Sequence, residues 1–170
     1  MTRIGLISDT HGVLRPEALA FLRDCNLIIH GGDIGGREIL DALESIAPVI
    51  AVRGNNDTEA WAERLNETEL LRWGDAPVYV IHDAAHIDTD PIAQGIRVVV
   101  SGHSHKPLIE NRGGVLYVNP GSAGPRRFKL PIALGDLRLD GASVAARIVR
   151  LDAATWVPCG TGTVGIAKPA

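Results

Sequence analysis

The chain has 170 residues, is 45% hydrophobic and carries a formal charge of -3. That is enough apolar material for one substantial core, so a single domain is expected across residues 1–170, with its motifs between about 4 and 150 and a C-terminal tail over about 152–170. No block of Lys or Arg stands out, which argues against long nucleic acid as a partner, and no apolar run approaches the roughly twenty residues needed to span a membrane. Cys25 and Cys159 fit no CxxC or secreted disulfide framework, and Met1-Thr2-Arg3 leads straight into a short apolar run; a soluble, cytoplasmic protein is expected.

Five short apolar, mostly β-branched runs read as buried strands: Ile4 to Ser8, Leu27 to His30, Val49 to Arg53, Val78 to His82 and Val98 to Ser101. Helical patterns alternate with them. Pro16 to Asp24 opens with a first-turn Pro, and Arg37 to Ile46 spaces Ile39, Leu43 and Ile46 along one face. Shorter helices are expected after Asp57-Thr58 and over Asp90 to Gly95, which has a capping Asp, a first-turn Pro and a stopping Gly. Beyond Gly113 the pattern becomes strand-rich: Val115 to Val118, Leu130 to Leu139 and Ala142 to Leu151, with Asp140-Gly141 as a hairpin turn. Thr161 to Ala170, rich in Gly and Thr, reads as loose. About ten strands do not fit easily into one compact sheet, so the α/β fold class predicted is a four-layer αββα sandwich: two mainly mixed sheets flanked by helices.

Where these runs end, an ordered series of oxygen and nitrogen donors begins: Asp9, His11, Asp33, Asn55, His82, His103 and His105. Any one alone would read as a turn former or a helix cap. Together they place hard and borderline ligands at the carboxyl ends of strands, where open α/β sheets bind their ligands. The mixture of carboxylate, amide and imidazole without thiolate suits Mn, Fe, Co, Ni or Zn. Seven donors exceed the four of a closed structural zinc site and are enough for two ions sharing one carboxylate, with coordination left open for chemistry. Ser8 and Thr10 have no visible partners that would make them nucleophiles. The surrounding glycines fit neither a P-loop nor a dinucleotide-binding pattern.

The motifs Asp9-Thr10-His11, Gly32-Asp33, Gly54-Asn55-Asn56-Asp57, His82, Gly102-His103-Ser104-His105 and Asn119-Pro120-Gly121-Ser122, in this order, resemble those of the calcineurin-like metallophosphoesterases, and in particular the small, single-domain, YfcE-like phosphodiesterase branch. The resemblance implies that Asp9, His11, Asp33 and His105 hold a first divalent ion and that Asp33, Asn55, His82 and His103 hold a second, with Asp33 bridging. It implies two ions per chain, Mn foremost, with Fe, Zn, Ni or Co in the same range. It also implies catalysis through Asp33, Asn55 and His103 by way of a metal-bridging hydroxide that attacks a small phosphodiester with inversion at phosphorus.

The chain departs from the larger relatives where Asn56 replaces the His that follows the motif's Asn, since an amide donates no proton to a leaving group. Diesters are therefore expected over monoesters. Gly36 stands in place of an acidic residue, leaving Arg37 or Glu38 to substitute, and Asp83 follows His82 in place of the common Gly. His86 is expected on a loop near the site. Asn56, Arg126 and Arg127 are the candidate substrate contacts, the arginines because a guanidinium fork matches phosphate oxygens. The alternatives are a non-catalytic protein-interaction scaffold of the retromer-subunit type, which shares this fold, and a phosphomonoesterase or small-nucleotide hydrolase. A homodimer is open, and at least two of Trp61, Trp73 and Trp156 are expected in the core.

Overall fold

The computed structural model describes residues 1–141, 143–153 and 155–165. Three β-branched runs, β1 (Thr2–Ile7), β2 (Leu27–His30) and β3 (Val49–Ala51), pair in parallel. Helices α1 (Pro16–Leu22) and α2 (Arg37–Glu44) supply the two crossovers. The strands β4 (Thr68–Trp73), β5 (Ala76–Ile81), β6 (Val98–Val100), β7 (Leu108–Arg112) and β8 (Val115–Asn119) form a second sheet in the order β4-β5-β6-β8-β7, whose middle three strands are parallel. The chain then returns through β9 (Ala133–Leu139), β10 (Ser143–Arg150) and β11 (Val157–Gly165), which add antiparallel to the free side of β1. Both sheets are mixed: the five-stranded one has a parallel centre and antiparallel edges, and the six-stranded one has a parallel half ending at β3 and an antiparallel half ending at β11.

The side-chain period of two sorts the apolar residues into layers. Ile4, Leu6, Leu27, Ile29, Leu137 and Ile148 from the six-stranded sheet meet Val78, Val80, Val98, Val100, Leu116 and Val118 from the five-stranded one in a fully buried inner core. The opposite face of the six-stranded sheet packs Ile7, Ile28, Leu134 and Val149 against Ala18, Phe21 and Leu22 of α1 and Ile39, Leu40 and Leu43 of α2. The outer face of the five-stranded sheet, with Tyr79, Ile81, Val99 and Val115, is covered by Ile87 and Ile96.

That fourth layer is thinner than the sequence suggested. Asp90 does cap, its carboxylate accepting from the Ile92 and Ala93 amides at 3.0 and 3.4 Å, but Gly95 at φ +70° ends the segment after one turn, short of an α-helix. A 3₁₀ helix, Ala60–Arg64, stands where a helix was expected after Asp57-Thr58. Three strands carried no clear sequence signal. β4 and β7 are edge strands whose faces are largely exposed, so little alternation marks them. β11 occupies part of the tail expected to be loose; residues 166–170 of that expectation lie outside the described residues. Its Gly162 is there for packing, since a Cβ on it would sit 2.4 Å from Ile109 Cγ2 on the other sheet. Trp61 and Trp73 are partly buried against the cores, whereas Trp156 is 48% exposed and packs edge-on with Phe21. Among the described residues, no helix is long and apolar enough to cross a membrane.

Candidate metal centre

Of the strands that pair in parallel, β1, β2, β3, β5 and β6 each deliver a donor past the carboxyl end. Asp9 and His11 follow β1, Asp33 follows β2, Asn55 follows β3, His82 follows β5, and His103 and His105 follow β6. The loops after β1 and β2 are stitched together by backbone hydrogen bonds from Asp9 to Gly32, His11 to Asp33 and Gly12 to Ile34 at 2.8 to 3.0 Å. The Gly102 amide donates to the His82 carbonyl at 2.9 Å, linking the loops of the second sheet. Glycine makes the approach possible: a Cβ on Gly54 would lie 2.1 Å from the Asp33 amide nitrogen, and one on Gly102 would lie 2.1 Å from Ser8 Oγ.

Five of the seven predicted donors, Asp9, His11, Asp33, His103 and His105, have φ between 46° and 66°. Only a few per cent of non-glycine residues adopt that region, and Phe128 is the one other among the described residues. A conformation costing roughly 1–2 kcal/mol per residue persists where the surroundings over-determine it, as in functional clusters.

The structure brings all seven donors together, as two trios on either side of Asp33. In the inner one, His105 Nε2 lies 3.3 Å from both Asp9 Oδ1 and His11 Nε2, and His11 Nε2 lies 4.0 Å from Asp9 Oδ1. In the outer one, Asn55 Oδ1 lies 3.1 Å from both His82 Nε2 and His103 Nδ1. Asp33 Oδ2 stands between them, 3.8 Å from His11 Nε2 and 3.4 Å from His82 Nε2. Ligand bonds of about 2.1 Å put neighbouring donors around one ion about 3.0–3.4 Å apart, so most of these separations match the edges of coordination polyhedra. Asp9, His11 and His105, and likewise Asp9, Asp33 and His82, hold their ligand atoms within 4.8 Å of one another. Asp9 Oδ1 is buried without a hydrogen-bond partner. An orphaned carboxylate oxygen facing two imidazoles is costly in a folded protein unless a cation meets it, so the donor set fits a divalent metal.

The electrostatics agree. Burial would raise the Asp33 carboxyl, but hydrogen bonds from His82 and from the Asn56 amides outweigh it and hold it ionised far below the usual carboxylate range. Burial lowers His82, yet Asp33 and the Gly31 carbonyl favour its imidazolium and the net shift is upward. Its Nδ1 donates to Gly31 O at 2.7 Å, which aims Nε2 into the site. His11 is pushed down chiefly by burial, against the pull of Asp33 and Asp9, and with a contribution from the positive charge of Arg127.

A bracing layer surrounds the donors, and parts of it carry no sequence signal. Asp57 is not a helix cap: its carboxylate accepts from the Ile34, Gly35 and Gly54 amides at 2.9 to 3.2 Å and so clamps the Asp33 loop to the Asn55 loop. Arg37 turns away to Asp41 and Glu44. His30, wholly buried, accepts from the Gly32 amide at Nδ1 and lies 2.9 Å from Thr10 Oγ1, which donates in turn to Ile34 O. This commits the Thr10 hydroxyl, as Asp9 commits that of Ser8. Asn119 donates to Gly102 O at 2.6 Å, and Ser122 donates to Asp9 O at 2.9 Å; the Asn119-to-Ser122 loop thus braces both sheets' ligand loops.

The candidate substrate contacts separate. Asn56 is committed to Asp33, its backbone N–H reaching Oδ1 and its side-chain amide Oδ2, both at 2.8 Å. Arg126 is ion-paired with Asp152, whereas the Arg127 side chain makes no hydrogen bond or ion pair among the described residues and its charge is felt at His11. His86 is 80% exposed and lies 3.6 Å from Asp83, which is also 3.7 Å from His103. A cavity of about 410 Å³ opens against Asn55, His82 and His103.

Comparison with known proteins places this arrangement. A protein of Methanothermobacter thermautotrophicus described as a "Probable metallophosphoesterase" is 39% identical over 162 residues, covering 88% of this chain and 93% of its own. A protein of Methanocaldococcus jannaschii named a phosphodiesterase is 30% identical, covering 70% of this chain and 82% of its own. Among solved structures, vacuolar protein sorting 29 from Cryptosporidium parvum superposes with a TM-score of 0.80 at 19% identity over 98% of each chain, a likeness of fold. The family model of the calcineurin-like phosphoesterase superfamily domain matches residues 2–140, and the chain belongs to that superfamily.

Proposed function

We propose that the protein is a binuclear metal-dependent phosphodiesterase acting on a small substrate. The observation that carries this is the pair of donor trios on either side of Asp33 Oδ2. In this reading Asp9, His11, Asp33 and His105 hold one divalent ion and Asp33, Asn55, His82 and His103 the other. Two carboxylates, one amide and four imidazoles suit Mn, with Fe, Zn, Ni or Co within the same ligand preference. When bound, such ions lower the pKa of water, hold phosphoryl oxygens and offset the charge that grows on the leaving oxygen.

The chain's own residues orient and position. Asn56 holds both oxygens of Asp33, which fixes the carboxylate plane. Gly31 O sets the His82 tautomer so that Nε2 presents a lone pair. His103 and Asn55, both exposed, face the cavity and orient the phosphate there. Arg127, with its unengaged guanidinium, supports a free non-bridging oxygen. Because the Asn56 amide is spent on Asp33 and is no acid, leaving groups that need no strong protonation are favoured, hence diesters over monoesters. The free thiols of Cys25 and Cys159 support a reducing, cytoplasmic setting.

The test is hydrolysis of bis-p-nitrophenyl phosphate by metal-stripped protein resupplied separately with Mn, Ni, Co, Zn and Mg, beside p-nitrophenyl phosphate and the Asp33→Asn variant. Metal-restored diester turnover that exceeds monoester turnover, and falls about 10³- to 10⁴-fold in the variant, is expected, because the bridging charge is worth several kcal/mol. Faster monoester turnover would contradict the diester assignment. The fold shared with vacuolar protein sorting 29 sustains one second reading, a non-catalytic scaffold; metal binding without turnover of any ester would favour it.

A further inference from the structure

The cavity beside the outer trio has a composition that selects among phosphodiesters, and we infer from it that the second ester arm of the substrate is a short alcohol carrying an ammonium group. This deepens the phosphodiesterase reading and rests on it for the position of the phosphate.

One wall of the cavity is Asn55, His82 and His103, so a phosphate seated at the outer trio directs one ester oxygen into it. At about 410 Å³ the space lies near the small end of ligand pockets, which run to roughly 1,000 Å³. Among the described residues, Ile81 is the only large apolar one in the lining and no ring of Phe, Tyr or Trp contributes, so the cavity offers no large aromatic face for a nucleobase and no greasy channel for an acyl chain.

The rest of the lining is polar and its fixed charges sum to a negative value. Arg53 is the one permanent cation in the lining, and its guanidinium is held by Glu67 at 2.9 Å. Asp83 is shared between His86 at 3.6 Å and His103 at 3.7 Å. Asp88, an exposed residue, also lines the cavity, and its side chain makes no hydrogen bond or ion pair among the described residues. Beyond the Arg53–Glu67 pair, two further carboxylates, Asp83 and Asp88, thus line the cavity. An arm ending in a carboxylate or a second phosphate is repelled there, whereas an ammonium finds an unengaged acceptor in Asp88 with the Thr68 hydroxyl beside the same space.

The experiment compares p-nitrophenyl 2-aminoethyl phosphate with p-nitrophenyl 2-carboxyethyl phosphate, which share one leaving group, on the Mn-supplied full chain. Calorimetric binding of the corresponding 2-aminoethyl and 2-carboxyethyl methylphosphonate monoesters runs alongside. The amine is expected to lead about tenfold in both kcat/KM and affinity, and Asp88→Asn to shrink that ratio about three- to fivefold, the size of an exposed ion pair. Reading the ratio cancels general damage to the variant. Equal handling of the two arms, or preference for the carboxylate, overturns the inference even if both esters are hydrolysed. Preferential binding of the amine without hydrolysis of either ester upholds the pocket and sinks the phosphodiesterase reading instead.

Discussion

The two donor trios have similar chemistry and opposite surroundings. Asp9 and His105 of the inner trio are buried and His11 is only 18% exposed at its side chain, whereas in the outer trio His103 is 46% exposed and Asn55 is open to the cavity. The inner trio is enclosed by strained loops and braced through Ser8, Ser122 and Thr10; the outer trio leans on His82 alone for a buried member. In the proposed two-ion reading, the contrast would amount to a division of labour: the enclosed trio would retain its ion as part of the fold, and the open one would exchange its ion where substrate arrives.

That division can be broken from either side. His105→Ala opens the buried trio and is expected to lower kcat for a diester about 10³-fold, with the inner ion lost at all practical Mn concentrations. His103→Ala is expected to cost about 10- to 100-fold and to recover substantially with excess Mn, since an open site refills by mass action. Metal content by mass spectrometry beside the kinetics checks both; equal losses with equal rescue would erase the distinction.

Two further changes test how far the ligand loops belong to the fold. Gly54→Ala forces a Cβ to within 2.1 Å of the Asp33 amide, a backbone atom that cannot swing aside. The expected cost is about 3 kcal/mol, or roughly 6–12 °C in Tm by calorimetry. The second involves His30, whose imidazole burial pushes down to about 4 from 6.5 against the pull of the Asp9 and Asp57 carboxylates. Between those values the unfolded chain binds more protons than the folded one, so stability rises with pH across the window. The contribution is full above pH 6.5 and is lost as pH falls through 4, on the order of 3 kcal/mol in all. Urea midpoints of metal-free protein should show this slope, and His30→Gln should flatten it.

The smallest expected effect lies at the rim. Arg127→Ala should raise KM for a diester about three- to tenfold, while Arg126→Ala, whose guanidinium is tied to Asp152, should leave KM close to that of the parent. Kinetics of the two single variants separate the pair, and equal shifts would show that the Asp152 contact opens when substrate binds.

The central strands and the donors after them were legible because both signals are local. A β-branched run that ends in Asp, Asn or His is visible in one dimension, and seven such donors limit the chemistry. The bracing partners were harder to see. His30 closes an apolar strand with nothing nearby to mark it, and Asp57 resembles a helix cap although its amide donors come mainly from a loop more than twenty residues upstream. Edge strands such as Leu108–Arg112, mostly exposed, carry little hydrophobic period, and Gly162, part of the stretch whose composition suggested looseness, is what lets Val157–Gly165 pass over Ile109. Long-range clamps and close approaches depend on which loops meet, which one sequence does not encode in any window.

The most direct test of the account is a titration of metal-stripped protein with Mn, following bound metal and diester turnover in the same samples. The account predicts two ions per chain, the first held tightly and nearly silent in turnover, with activity rising as the second equivalent binds. Full activity at one equivalent, or a plateau of one bound ion, would contradict a two-ion site divided into an enclosed and an exchangeable half.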